Sequence, residues 1–229
     1  MYRSRLKGRL DKNVLSYMSS INDDLLLLDY DILGSQAHSI MLYEQKLIKK
    51  SELKKILDAL DSAKKKDLRK LAFEYEDIHE ALEAFVVKKA GMEAGGKMHT
   101  ARSRNDQVAL DIRMKARDDI NNISIQVIEL INKLLFKASQ NKDSIMPMYT
   151  HLQHAQIGTF SHYLLSYSDI LLRDLERLNG CYERVNKSPL GTIAIGGSSI
   201  NIDRKKTASL LSFSGIVENS IDETTSRDT

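Results

Sequence analysis

The sequence predicts an all-α protein, with a small helical domain over residues 1–100 followed by the first part of a long-helix bundle over 101–229. Three observations predict it. Only two prolines, Pro147 and Pro189, interrupt the chain, and its eleven glycines cluster mainly at 91–96 and 191–197, which leaves long stretches without breakers. Apolar residues recur at three-four spacing across those stretches. No window alternates with period two over five or more residues, apart from Thr192 to Ile195 inside a glycine-rich loop, so almost no sheet is expected.

Taken in order, the first hundred residues read as shorter helices over Asp24–Lys46, Ser51–Lys66 with Ser51 as N-cap, and Asp77–Ala90 stopped by Gly91. Residues 49–70 carry nine Lys or Arg against four Asp or Glu, but Leu53, Ile56, Leu57 and Leu60 give that helix a separate apolar face, so the charges read as a solvated surface. Beyond a boundary near residue 100 the pattern lengthens. Ile123, Val127, Leu130 and Leu134 form one row, with Ile128, Ile131 and Leu135 beside it, predicting a helix over about 105–139. Phe160, Leu164, Tyr167, Leu171, Leu175, Leu178 and Val185 predict a second over about 157–187, roughly 45 Å long. The loop with Pro147 would reverse the chain and set the two antiparallel. Their stripes exceed what the remaining short elements can cover, which points to a homo-oligomer. From Asn219 the chain looks like the start of another helix, as if it stopped mid-domain.

Composition narrows the function classes. With 42% hydrophobic and 28% charged residues the chain is neither disordered nor collagen-like, and a net charge of +3 does not call for nucleic acid or a membrane surface. A lone cysteine, Cys181, excludes an internal disulfide and a thiolate zinc cage, so a reducing compartment is expected. The longest apolar runs, Leu25–Leu28 and Ala84–Val87, are four residues each against the ~20 of a membrane span, and the basic start Arg3, Arg5, Lys7, Arg9 has no apolar segment behind it. A cytoplasmic chain is the expectation.

Two polar clusters can do chemistry. The run Gly95-Gly96-Lys97-Met98-His99-Thr100-Ala101-Arg102-Ser103-Arg104-Asn105-Asp106-Gln107 is a glycine loop leading into the longest helix, where free N–H groups and the helix dipole attract carboxylate or phosphate and Arg102 and Arg104 add charge. The competing reading is an N-cap by Ser103 or Asn105 with solvated arginines. The second cluster, Met148-Tyr149-Thr150-His151-Leu152-Gln153-His154-Ala155-Gln156, precedes the other long helix. His151 there could be a general acid or base, or a structural histidine. The His151-x-x-His154 spacing lacks a carboxylate or cysteine to complete a metal site, and Glu76-x-x-His79 lacks the second copy a di-iron site requires.

Together His99-Thr-Ala-Arg-Ser-Arg-Asn-Asp-Gln-Val108 and Tyr149-Thr-His-Leu-Gln153 resemble the first two signature segments of the argininosuccinate lyase family, within the aspartase and fumarase superfamily. Lesser landmarks agree in order: Ser20 ahead of Asp29 to Ser35, Glu76-Asp-Ile-His79, Arg173-Asp-x-Glu-Arg177, Ser188-Pro-Leu-Gly191, Ile202-Asp-Arg204, Asn219-Ser-Ile-Asp222 and Arg227-Asp228. The resemblance implies elimination of fumarate from argininosuccinate to give arginine, with no metal and no organic cofactor, in a cytoplasmic homotetramer. It implies that Ser20, Arg104, Asn105 and Thr150 contact substrate, with Arg102 and Ser103 as neighbours, and that His151 takes part in proton transfer. The family's third signature, a Gly-Ser-Ser-x-Met-Pro-x-Lys loop with the catalytic serine, is expected downstream of residue 229. Gly197-Ser198-Ser199-Ile200 does not replace it, because Ile202-Asp-Arg204 follows. Met148 and Ile157 stand where the family usually has glycine and proline, and Thr229 where an aromatic is common. A sister enzyme such as adenylosuccinate lyase, or a non-catalytic bundle that kept the fold, are the alternatives.

Overall fold

The structure, a computed structural model, describes residues 13, 14, 17, 19–64 and 75–226. The basic start, the stretch 65–74 with the end of the expected second helix, and Arg227, Asp228 and Thr229 lie outside the described residues. A helical turn at Ile21–Asp24 and a 3-10 turn at Leu25–Leu27 lead into α1 (Leu28–Glu44), followed by α2 (Lys50–Lys64) and α3 (Ile78–Ala90). Short turns at Met92–Gly95 and Gly96–His99 precede α4 (Arg104–Ser139). Strands β1 (Ile145–Thr150) and β2 (Gln153–Thr159) then lead to α5 (Phe160–Val185), α6 (Arg204–Leu210) and α7 (Ser220–Thr225). The fold is mostly helical, as expected, with one two-stranded sheet among the described residues.

The contacts divide the chain into two compact units, Met1–Lys115 with Lys187–Asp228, and Ala116–Asn186. This boundary cuts through α4 and is a separate matter from the domain boundary expected near residue 100. In the first unit α1 is the central helix. Its Ile32 and Leu42 pack with Ile56 and Leu60 of α2 and Leu82 and Val86 of α3, while Ala37 joins Leu110, Met114, Leu190 and Phe213 in a second cluster. Being covered on two sides, α1 buries polar residues too, among them Asp31, Ser35 and His38. Gly34 permits this packing, since a Cβ there would lie 2.7 Å from Leu110 Cδ2 of α4.

Helix ends follow local chemistry. Asp77 caps α3 by accepting the Glu80 N–H, and Gly91, at φ 85°, ends it as the sequence predicts. Ser51, expected as the cap of α2, instead lies inside the helix, and the Glu52 carboxylate accepts the Lys49 N–H at 2.7 Å. At α7, Asn219 accepts the N–H groups of Ile221 and Asp222.

The second unit differs most from expectation. Residues 145–159 form an antiparallel two-stranded hairpin, so α5 starts at Phe160 with Thr159 as its cap, three residues later than the apolar spacing suggested. The partners Ile145↔Thr159, Pro147↔Ile157, Tyr149↔His154 and Thr150↔Gln153 leave Met148 opposite both Ala155 and Gln156, a bulge. Pro147 is tolerated because a two-stranded sheet has only edge strands. The hairpin reverses the chain at one end of α4 and α5, and Arg117 Nη1 donates to Asn186 Oδ1 at 3.1 Å at the other, so the two helices run antiparallel. Ile128, Leu130 and Phe136 of α4 and Tyr167, Ile170 and Leu172 of α5 are exposed.

Candidate active site

The start of α4 is a capping box. The Ser103 hydroxyl accepts the Asn105 N–H, and Asp106, three residues on, accepts the Ser103 N–H at 2.9 Å through Oδ1. Through Oδ2 the same carboxylate accepts the N–H groups of Gly191 at 3.0 Å and Ile193 at 2.9 Å, which fastens the 190–194 loop against the helix start. Asn105 adds a bond from Nδ2 to the Ala194 carbonyl at 3.1 Å, and is itself exposed. Burial lifts Asp106 above its ordinary value despite these donors.

Arg104, half-buried, meets Asp77 Oδ2 at 3.3 Å through Nε and donates to Gln107 Oε1 through Nη1. Next to Asp77, the Glu76 carbonyl accepts the Ser20 N–H at 3.3 Å. Exposed Ser20 bonds through its hydroxyl to Asp24. The structure therefore brings Ser20, Ser103, Arg104 and Asn105 into one neighbourhood of the first unit.

Arg102 is placed differently from its neighbours. It is 6% exposed and donates from Nη1 to Ser35 Oγ at 2.9 Å. Beneath it the Asp31 carboxylate accepts from Gln107 Nε2 and from the Ser35 hydroxyl, and lies 3.0 Å from His79 Nδ1. Burial alone would raise Asp31, but the His79 bond, then the charges of His79 and Arg102, bring it down to about 2. His38 donates from Nε2 to the Thr100 carbonyl at 2.8 Å, and burial, then the Arg102 charge, lowers it to about 3. His99 is lowered to about 3 by burial and by Arg102 and Arg104. Neither histidine is a charged acid at neutral pH.

Thr150 and His151 belong to the second unit and are exposed. His151 and Leu152 form the two-residue turn between the strands, at φ 49° and 61°. Both angles are left-handed, as a type I′ turn demands, yet neither residue is the Asn or Gly that takes it without cost. Behind the turn Tyr149 Oη lies 3.0 Å from His154 Nε2, its ring centroid 4.8 Å from the imidazole. Gln153 closes the hairpin opposite Thr150, and the region read as a loop from its polar residues is thus a strand pair.

The sequence pattern assigns no site role to Asp106, to Asp77 beyond its helix start, or to the buried set below Arg102. Their signals are present: Ser103-x-x-Asp106 has capping-box spacing, Glu76-x-x-His79 reads as half of a di-iron motif, and Asp29 to Ser35 is a landmark of the resemblance. Among the described residues Asp31, His79 and Asp111 alone bring three metal-type ligand atoms within 4.8 Å of one another. No described helix is long and apolar enough to cross a membrane.

Two long helices, a capped helix start and a histidine-bearing hairpin describe the chain, and the comparisons name its family. A family profile described as Lyase matches residues 4–229, and the chain belongs to that family. It is 57% identical over 228 residues to the argininosuccinate lyase of Nitrosopumilus maritimus (strain SCM1), covering 100% of this chain and 47% of the relative. To the argininosuccinate lyase of Caldanaerobacter subterraneus subsp. tengcongensis it is 44% identical, covering 100% of this chain and 52% of the relative. The chain spans about half the length of the curated relatives it matches. Among solved structures, an EDDS lyase in complex with formate superposes with a TM-score of 0.81 at 33% identity over 88% of this chain and 40% of that one. A fumarate lyase described as delta crystallin, from Brucella melitensis and bound to cobalt, shares the fold, with a TM-score of 0.75 at 15% identity over 97% of this chain and 53% of that one.

Proposed function

We propose that this chain is part of an argininosuccinate lyase, which eliminates fumarate from argininosuccinate and leaves arginine, the last step of arginine biosynthesis. The observation that carries the reading is the pre-set α4 start, where Asp106 and Ser103 satisfy the backbone and Asn105 remains exposed beside Arg104. The 57% identity to an argininosuccinate lyase supports that substrate.

Elimination removes a proton from the carbon beside a carboxylate while a guanidinium nitrogen leaves, so it requires donors for the developing negative charge and groups that move protons. Arg104 and Asn105 hold substrate carboxylate by charge-assisted and neutral hydrogen bonds, Ser20 and Thr150 add hydroxyl donors, and Ser103 lends its position at the helix start. Arg102, being buried, serves from below. His151 moves a proton or polarises the group that does. The reaction uses no metal and no organic cofactor. The exposed apolar faces of α4 and α5 fit a homo-oligomer, tetrameric in the complete enzyme, in the cytoplasm. We also propose a small helical domain over 1–100 and a bundle domain from 101 onward. The test is fumarate release, followed by ultraviolet absorbance, from the full chain with argininosuccinate and, as control, adenylosuccinate. Release from the second and not the first would overturn the substrate.

A further inference from the structure

Below the start of α4 lies a carboxyl group with no role in the reaction described above. Asp111, two turns into α4, is fully buried, and neither of its oxygens has a hydrogen-bond partner among the described residues. Asp31, across from it on α1, takes donors from Gln107, Ser35 and His79. Two carboxyl groups thus share one buried space, and only one is supplied with hydrogens.

The groups facing Asp111 come from every side. From α1 come Asp31 and the bare backbone of Gly34, where a Cβ would lie 3.6 Å from Asp111 Oδ1. From α3 comes His79, whose Nδ1 is 3.5 Å from Asp111 Oδ2 and nearer, at 3.0 Å, to Asp31. Arg102 precedes α4, and Arg104 stands at its first turn. Burial and then the Asp31 charge push the Asp111 carboxyl well above its ordinary value, and Arg102 and Arg104 offset this only in part. The one nearby nitrogen of α3 is thus committed to Asp31, and His79 Nε2 has no partner among the described residues.

We propose that Asp111 is a neutral carboxylic acid at neutral pH and a positioning residue for the start of α4, leaving Asp31, which holds the donors, as the ionised member of the pair. The buried pair then carries one negative charge, on the carboxylate that has the donors, with the Arg102 guanidinium alongside. Ionising Asp111 would add a buried charge without donors, and the disturbance would fall on Arg102, Gln107 and His79, the groups on which the helix start rests. A cation bound by Asp31, His79 and Asp111 suits the site less well. Gln107 and Ser35 already donate to Asp31, and the Arg102 charge lies alongside. The inference does not depend on which substrate the enzyme takes.

The pH dependence has a definite sign. A folded-state value raised above the ordinary 3.8 means that the folded chain keeps a proton the unfolded chain releases, so this stabilisation is complete below about pH 4 and fades as pH rises toward the folded value. Asp111→Asn keeps the shape and cannot ionise. In the full chain its melting temperature is expected to equal or exceed the parent's at pH 7, with the gap widening toward pH 9. The direct readout is infrared: aspartate-labelled (¹³C) protein at pH 7 should show a protonated-carboxyl stretch that Asp111→Asn lacks. Labelling only aspartate sets aside Glu223, which burial lifts to about 8. Absence of that band in the parent overturns the proposal even if the variant fails to fold. So does a variant that folds but melts about 5 °C or more below the parent at pH 7. Added Zn²⁺ or Mn²⁺ that raises the melting temperature of the parent and not of Asp111→Asn would make the cluster a cation site and also overturn it.

Discussion

The start of α4 and the tip of the β1–β2 hairpin carry the two groups of proposed site residues, and they are held in opposite ways. At the helix start Asp106 alone binds three backbone N–H groups, Arg104 meets Asp77, and Arg102 is buried over Asp31. The hairpin tip is exposed, and its two turn residues sit in the left-handed region. The first is what a rigid receiver of carboxylates requires, because donors that need no reorganisation favour developing charge most. The second is a strained projection, of the kind that persists where function depends on it. Binding should therefore be lost through the helix start and proton transfer through the tip, with little cross-talk.

The largest expected effect separates these roles. His151→Asn in the full chain should lower kcat by ~10²–10⁴ while leaving the melting curve nearly unchanged, since its side chain is exposed. A variant that unfolds as its activity falls would place His151 among structural residues. Next come Arg104→Ala and Asn105→Ala, each removing hydrogen bonds to substrate worth about 1.5–3 kcal/mol where charge-assisted, so kcat/KM should fall by roughly 10- to 150-fold. Steady-state kinetics near the parent's in both would remove them from the site. Asp106→Ala should show the opposite profile, a loss of stability near 3 kcal/mol in chemical denaturation, because three backbone N–H groups lose their shared acceptor. A loss below about 1 kcal/mol would mean that the 190–194 loop is fastened by other contacts.

Much of the helical framework in both units was legible because its signals are local. Asp77, Gly91 and the apolar rows of α4 each act on residues within a turn or two, and the helices formed within a few residues of the expected positions. What stayed hidden was long-range. Nothing in the order of residues shows that Asp106 reaches Gly191 and Ile193, or that Asp31, His79 and Asp111 from three helices share one buried space. The hairpin was hidden for another reason: Pro147, the bulge opposite Met148 and a His-Leu turn erase the alternation and the Asn-Gly signature by which hairpins are read. The same polar residues that marked 148–156 as functional thus also disguised its backbone.

The hairpin tip supplies the smallest and most discriminating test. Leu152 is 93% exposed at φ 61°, a conformation that costs an L-residue with a side chain roughly 1–2 kcal/mol and costs glycine almost nothing. Leu152→Gly relieves that strain but gives the unfolded chain more freedom, about 0.5–1 kcal/mol in the other direction. The two effects nearly offset, so the full chain should change in stability by at most about 1 kcal/mol, toward greater stability, as measured by denaturant unfolding. The turn itself should survive, because a His-Gly pair suits a type I′ turn better than His-Leu does. A destabilisation beyond about 1 kcal/mol would show that the Leu152 side chain is packed in the working assembly. The tip would then be as firmly held as the helix start, and the contrast between the two regions would describe the isolated chain alone.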